Sequence, residues 1–152
     1  MSSSASDTKI RIVVVDDERD ILLTLSAVLS SRGHYVKTFD NPAEVLSHLM
    51  SNNNGPTPYY DLVITDYRMH DSSISGLDLA KQIKEHTTAR KTRLFLMSGS
   101  FNLSSSLPQE FNEALKAGIV DEFIQKPISN DKLIAAVERS FSNNNKKSAI
   151  YV

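Results

Sequence analysis

The chain has 152 residues, 40% of them hydrophobic, with 17 Lys plus Arg against 18 Asp plus Glu and a formal charge of −1. That suffices for one domain with a full core, and no basic stripe is present to follow a nucleic-acid backbone. Cysteine is absent, which excludes disulfides and thiolate metal sites.

Taken in order, residues 1–8 are polar and serine-rich, without the basic head and apolar stretch of a secretory signal, and read as a solvated tail. Residues 9–15 form a first strand rich in β-branched residues that ends at Asp16 and Asp17. Ile21, Leu22, Leu25, Val28 and Leu29 recur at helical spacing, and Gly33 is placed to close that helix. Residues 35–39 alternate as an edge strand does. Asn41 then reads as an N-cap before Pro42, with Val45, Leu46 and Leu49 as the inner face.

A turn-rich loop over 52–58 leads to a third strand, Leu62–Asp66, whose apolar, β-branched run suits the centre of a parallel sheet. Leu77, Ala80 and Ile83 mark a third helix, and residues 93–97 a fourth strand ending at Ser98. After a polar loop over 101–107, Pro108 opens a helix carrying Phe111, Ala114 and Leu115 and closed by Gly118. A fifth strand, Glu122–Gln125, ends at Lys126 and Pro127. Ser129 or Asn130 caps a last helix with Leu133, Ile134, Val137 and Phe141 inward. No apolar run reaches the ~20 residues of a membrane span, and a cytoplasmic protein is expected.

Five strand–helix alternations predict an α/β, doubly wound parallel five-stranded sheet. Right-handed crossovers leave few strand orders, one being the flavodoxin-like 2-1-3-4-5, which sets strands one and three side by side at the switch point. In that order Asp16, Asp17, Asp66, Ser98 and Lys126 stand on strand ends around one pocket. Three carboxylates about 4 Å apart repel by roughly 4 kcal/mol per pair at an effective dielectric near 20, which a hard divalent cation relieves. An oxygen-only, water-open site suits Mg²⁺. With a lysine charge and a serine hydroxyl beside it, the set fits a phosphoryl group transferred to a carboxylate. A merely structural ion-pair cluster would need neither the serine nor these strand ends.

Residues 13–18 (Val-Val-Val-Asp-Asp-Glu), 62–69 (Leu-Val-Ile-Thr-Asp-Tyr-Arg-Met), 97–99 (Met-Ser-Gly) and 123–127 (Phe-Ile-Gln-Lys-Pro) together resemble the motifs of the response-regulator receiver domain of two-component signalling, the CheY-like phosphoacceptor module. The resemblance implies a receiver domain over 9–142, with tails at 1–8 and 143–152 and no output domain. It implies phosphorylation at Asp66 by a sensor histidine kinase or phosphotransfer protein. Mg²⁺ would be held by Asp17, Asp66 and the Arg68 backbone carbonyl, with Asp16 acting through water. Lys126 would pair with the phosphoryl oxygens, and Ser98 and Phe123 would act as the switch. Pro127 would follow a cis bond. A downstream protein effector and a phosphorylation-dependent homodimer are the further partners implied, with neither nucleic acid nor membrane. The product is a modified protein, so the chain is not read as an enzyme, although it would promote its own phosphorylation and dephosphorylation.

Two departures stand out. The family's proline after the methionine is replaced by His70, read as a solvated loop histidine, and the glycine that follows, Gly76, comes about two residues late, so that residues 71–75 should bulge near the metal. Residues 100–108 are longer than the usual link before the fourth helix. Arg68, two positions after Asp66, is placed to shield an acyl phosphate. The tail residues 149–152 are apolar enough to dock, although a solvated tail is the simpler expectation. Two rivals use similar residues. A Mg²⁺-dependent phosphohydrolase of haloacid dehalogenase type needs its nucleophile and general acid two apart on the first strand, which residues 16–19 do not offer. A pseudo-receiver that is never phosphorylated would not need the full acidic set with Lys126.

Overall fold

The computed structural model describes residues 8–50, 59–70, 73–86, 91–99 and 107–142. Strands β1 (Arg11–Val15), β2 (Tyr35–Phe39), β3 (Leu62–Asp66), β4 (Arg93–Ser98) and β5 (Glu122–Gln125) alternate with helices α1 (Arg19–Ser31), α2 (Pro42–Met50), α3 (Gly76–Glu85), α4 (Gln109–Lys116) and α5 (Asn130–Ser140). All the strand pairs are parallel, in the order β2-β1-β3-β4-β5, as expected.

The period of two along each strand divides the core. Val13, Val15, Val63, Leu94, Leu96 and Phe123 face α2, α3 and α4, whereas Ile12, Val14, Ile64, Phe95, Met97 and Ile124 face α1 and α5. Every residue of β3 is buried, which explains its unbroken apolar run. Edge strand β2 keeps only Val36 and Phe39 partly covered. The predicted helical faces pack inward, with Leu22, Leu25 and Leu29 of α1 and Leu77, Ala80 and Ile83 of α3 buried.

Local chemistry sets the element ends. Asn41 Oδ1 accepts from the Glu44 N–H at 3.0 Å, and Ser129 Oγ accepts from that of Lys132 at 3.2 Å, each satisfying a first-turn donor. Ser75 and Asp78 form a reciprocal capping box on α3. Gly33 and Gly118 close α1 and α4 at φ +92° and +77°. Some boundaries move. β1 starts at Arg11, not Lys9, because the Ile10 N–H is taken by the His34 imidazole at 3.2 Å and the Lys9 ammonium reaches the Arg32 carbonyl. β4 runs one residue further, through Ser98. On α5 it is Ala136 and Ser140 that are buried with Leu133 and Val137, while Ile134 and Phe141 are only half-buried. The readings of residues 1–7, 52–58, 71–72, 100–106 and 143–152 fall outside the described residues. Among those described, no helix is long and apolar enough to cross a membrane.

Gly76 couples the fold to the pocket. Its N–H donates to the Tyr67 carbonyl at 2.8 Å, and a Cβ at this position would overlap the Asp66 carbonyl. Gly76→Ala is therefore expected to lower the unfolding free energy by about 2 kcal/mol or more. Urea denaturation measures this, and an unchanged midpoint would mean that α3 can step back without cost.

Candidate functional site: a carboxylate cluster at the strand tips

The register of the sheet assembles the site. Val15 lies beside Thr65, Asp66 beside Met97, and Ser98 beside Gln125, so the residues that leave β1, β3, β4 and β5 emerge together at the carboxyl edge. Backbone bonds hold these exits in place: Asp16 N–H to the Phe39 carbonyl at 3.2 Å, Tyr67 N–H to Met97 at 2.8 Å, and Lys126 N–H to Ser98 at 2.9 Å.

Asp16, Asp17 and Asp66 each offer a carboxylate oxygen within 4.8 Å of the other two. Asp16 is fully buried and Asp66 is 6% exposed, while Asp17 is half-buried. The Lys126 ammonium bridges them, at 3.1 Å from Asp16 Oδ2 and 3.3 Å from Asp66 Oδ1. Asp16 Oδ1 accepts from the Glu18 N–H at 2.9 Å, so both of its oxygens have protein donors. Asp17 Oδ2 accepts from the His70 N–H at 2.7 Å.

Glu18, Ile21, Arg68, His70, Ser98, Gly99 and Pro127 line an open cleft with Asp66 and Lys126. Ser98 is buried, Arg68 and His70 are exposed at the rim, and the Lys126–Pro127 bond is cis. Phe123 is fully buried and lies flat on Phe111 of α4, with centroids 4.9 Å apart. Tyr67, which follows Asp66, meets Phe111 edge-on, also at 4.9 Å. The structure thus brings Asp16, Asp17, Asp66, Ser98 and Lys126 together, with Arg68 alongside and Phe123 one layer below.

Burial and then the neighbouring Asp16 charge push the Asp66 carboxyl up to about 6, against a pull downward from Lys126. Asp16 is raised as well, chiefly by burial. For Lys126 burial favours the neutral form, but the two carboxylates outweigh it and its value is raised. The donor set is all oxygen, charged and crowded, and this fits a hard divalent cation. Sequence reasoning missed two members of the site. One is the His70 N–H on Asp17, signalled only by the missing proline; the other is Gly76 under the Asp66 carbonyl, signalled by the late glycine.

Solved structures share this doubly wound fold. The chemotaxis response regulator CheY4 of Vibrio cholerae superimposes with a TM-score of 0.69 at 20% identity, over 87% of this chain and 98% of that one, and so shows the fold. NtrX from Brucella abortus matches with a TM-score of 0.71 at 28% identity, over 88% of this chain and 27% of that one. The model of the response regulator receiver domain covers residues 12–138, and the chain belongs to that family. Among curated relatives, the DNA-binding transcriptional regulator NtrC of Azospirillum brasilense is 32% identical over 91% of this chain and 26% of its own length. The transcriptional regulatory protein FixJ of Bradyrhizobium diazoefficiens is 30% identical over 86% of this chain and 56% of its own. The chain spans about a quarter of the length of the NtrC relatives it matches. These matches favour neither the phosphohydrolase nor the pseudo-receiver.

The elevated Asp66 value links stability to pH. Its folded value, about 6, exceeds the ordinary 3.8, so the folded state keeps a proton that the unfolded chain has released. The contribution is complete below pH ~4 and is lost as pH rises through ~6. Without divalent metal at neutral pH, Asp66→Asn is expected to be more stable than wild type by about 1–3 kcal/mol, with the gap closing toward pH 4. Paired urea titrations at the two pH values test this.

Proposed function

We propose that the chain is a phosphorylation-driven switch in which Asp66 accepts a phosphoryl group from a phosphohistidine of a sensor kinase or phosphotransfer protein. The observation that carries this reading is the Lys126 ammonium bridging Asp16 and Asp66 at 3.1 and 3.3 Å beside a third carboxylate. A carboxylate oxygen of Asp66 attacks phosphorus while the bond to the donor nitrogen breaks, leaving an acyl phosphate and a neutral imidazole once a proton is taken up.

Mg²⁺ would be held by Asp17, Asp66 and the Arg68 backbone carbonyl, with Asp16 acting through water, and when bound it offsets charge on the acceptor and the phosphoryl oxygens. Asp16, whose two oxygens are already engaged by Lys126 and the Glu18 N–H, suits the outer role. Lys126 needs only to exchange its Asp66 contact for a phosphoryl oxygen. Ser98 then donates its hydroxyl to the same group, and Phe123 is the aromatic whose inward position the modified state favours. The output is a population shift that changes which protein the domain binds. The domain promotes its own phosphorylation and dephosphorylation, and a downstream protein effector reads the result. The α4-β5-α5 surface is the face proposed for that effector or for a phosphorylation-dependent homodimer.

Incubation with acetyl phosphate and Mg²⁺ is expected to add the mass of one phosphoryl group to wild type and none to Asp66→Asn. Intact mass spectrometry reads both, and phosphoryl uptake by Asp66→Asn would refute the assignment. Arg68 stands at the rim of the cleft beside Asp66. Arg68→Ala is expected to dephosphorylate severalfold faster, as the shield over the acyl phosphate is lost; an unchanged or slower rate rules out the shield.

A further inference from the structure

We propose that the backbone N–H of His70 is a positioning group for metal binding, made available by the absence of proline at this position. The proposal rests on the Mg²⁺-dependent phosphoacceptor reading and extends it to this chain's own departure from the family pattern. The His70 N–H donates to Asp17 Oδ2 at 2.7 Å, a short, charge-assisted bond. Proline has no N–H, so a chain with the family residue at position 70 cannot make it.

The bond does two things. It fixes the half-buried Asp17 carboxylate, an oxygen of which lies within 4.8 Å of oxygens of Asp16 and Asp66. It also ties the segment after β3, which carries Arg68, to the segment after β1, which carries Asp17. The connection from Asp66 to α3 is anchored at its far end by the Gly76 N–H on the Tyr67 carbonyl and by the Ser75–Asp78 capping box. At its near end the bridge to Asp17 is the His70 N–H. Among the described residues, the carboxylates of the cluster thus each have a protein donor: Lys126 and Glu18 for Asp16, Lys126 for Asp66, and His70 for Asp17. Such outer contacts fix a ligand's orientation before the ion arrives.

The test is a Mg²⁺ titration of the full chain by calorimetry, with no phosphoryl donor present. His70→Ala keeps the amide and is expected to bind as wild type does; His70→Pro removes it and is expected to bind roughly tenfold more weakly. Equal affinity for His70→Pro and wild type overturns the proposal, as does an equal loss in His70→Ala, which would assign the effect to the imidazole. A second measurement does not depend on the folding of the proline variant. In wild type, NMR hydrogen exchange of the His70 amide is expected to be slowed, and the protection lost in Asp17→Ala; an amide that exchanges freely in wild type refutes the bond. A wild type that takes no Mg²⁺ would overturn the phosphoacceptor reading as well, whereas Mg²⁺-dependent uptake of phosphoryl with indifferent His70 variants would overturn this inference alone.

Discussion

Three acidic side chains share a space in which each pair, if ionised, repels by about 3 kcal/mol or more, and one ammonium pairs with two of them. Lys126 sits between Asp16 and Asp66, close to both, on the turn that follows the last strand. The sheet exists, in functional terms, to make that turn reach back to the first and third strands. Order β2-β1-β3-β4-β5 places two strands between the lysine and Asp16, and the long side chain spans the gap. Removing the lysine would leave buried carboxylate charge uncompensated, whereas neutralising one carboxylate relieves the repulsion.

The cleft is polar, but the layer beneath it is aromatic. Tyr67, Phe111 and Phe123 touch in sequence, from the residue after Asp66, through α4, to β5. Phe111 thereby belongs to the core and joins Tyr67 to Phe123. The two cores lie on opposite faces of the sheet, so a rearrangement of these rings acts on the α2–α3–α4 face and leaves the packing of α1 and α5 to the other side.

Much of this was legible in the chain itself, for physical reasons. Central strands in a parallel sheet are apolar on both faces, so residues 62–65 announced both their identity and their place. Asn41 and Ser129 carried capping chemistry, and Asp16, Asp17, Asp66, Ser98 and Lys126 declared themselves by ending strands. What could not be read has a common cause: it depends on backbone atoms or on pairs distant in sequence. The His70 amide bond to Asp17 spans 53 positions and uses no side chain of His70. The Tyr67–Phe111 contact and the half-covered Ile134 depend on how helices settle against the sheet, which periodicity alone does not resolve.

Gly76 has a consequence of another kind. Side chains normally act as compliant padding between a strand and the helix that follows it, and small displacements are absorbed there. At this junction the padding is missing, because the first residue of α3 meets the Asp66 carbonyl backbone to backbone. Strand β3 and helix α3 are geared together without slack, so a shift of one is a shift of the other.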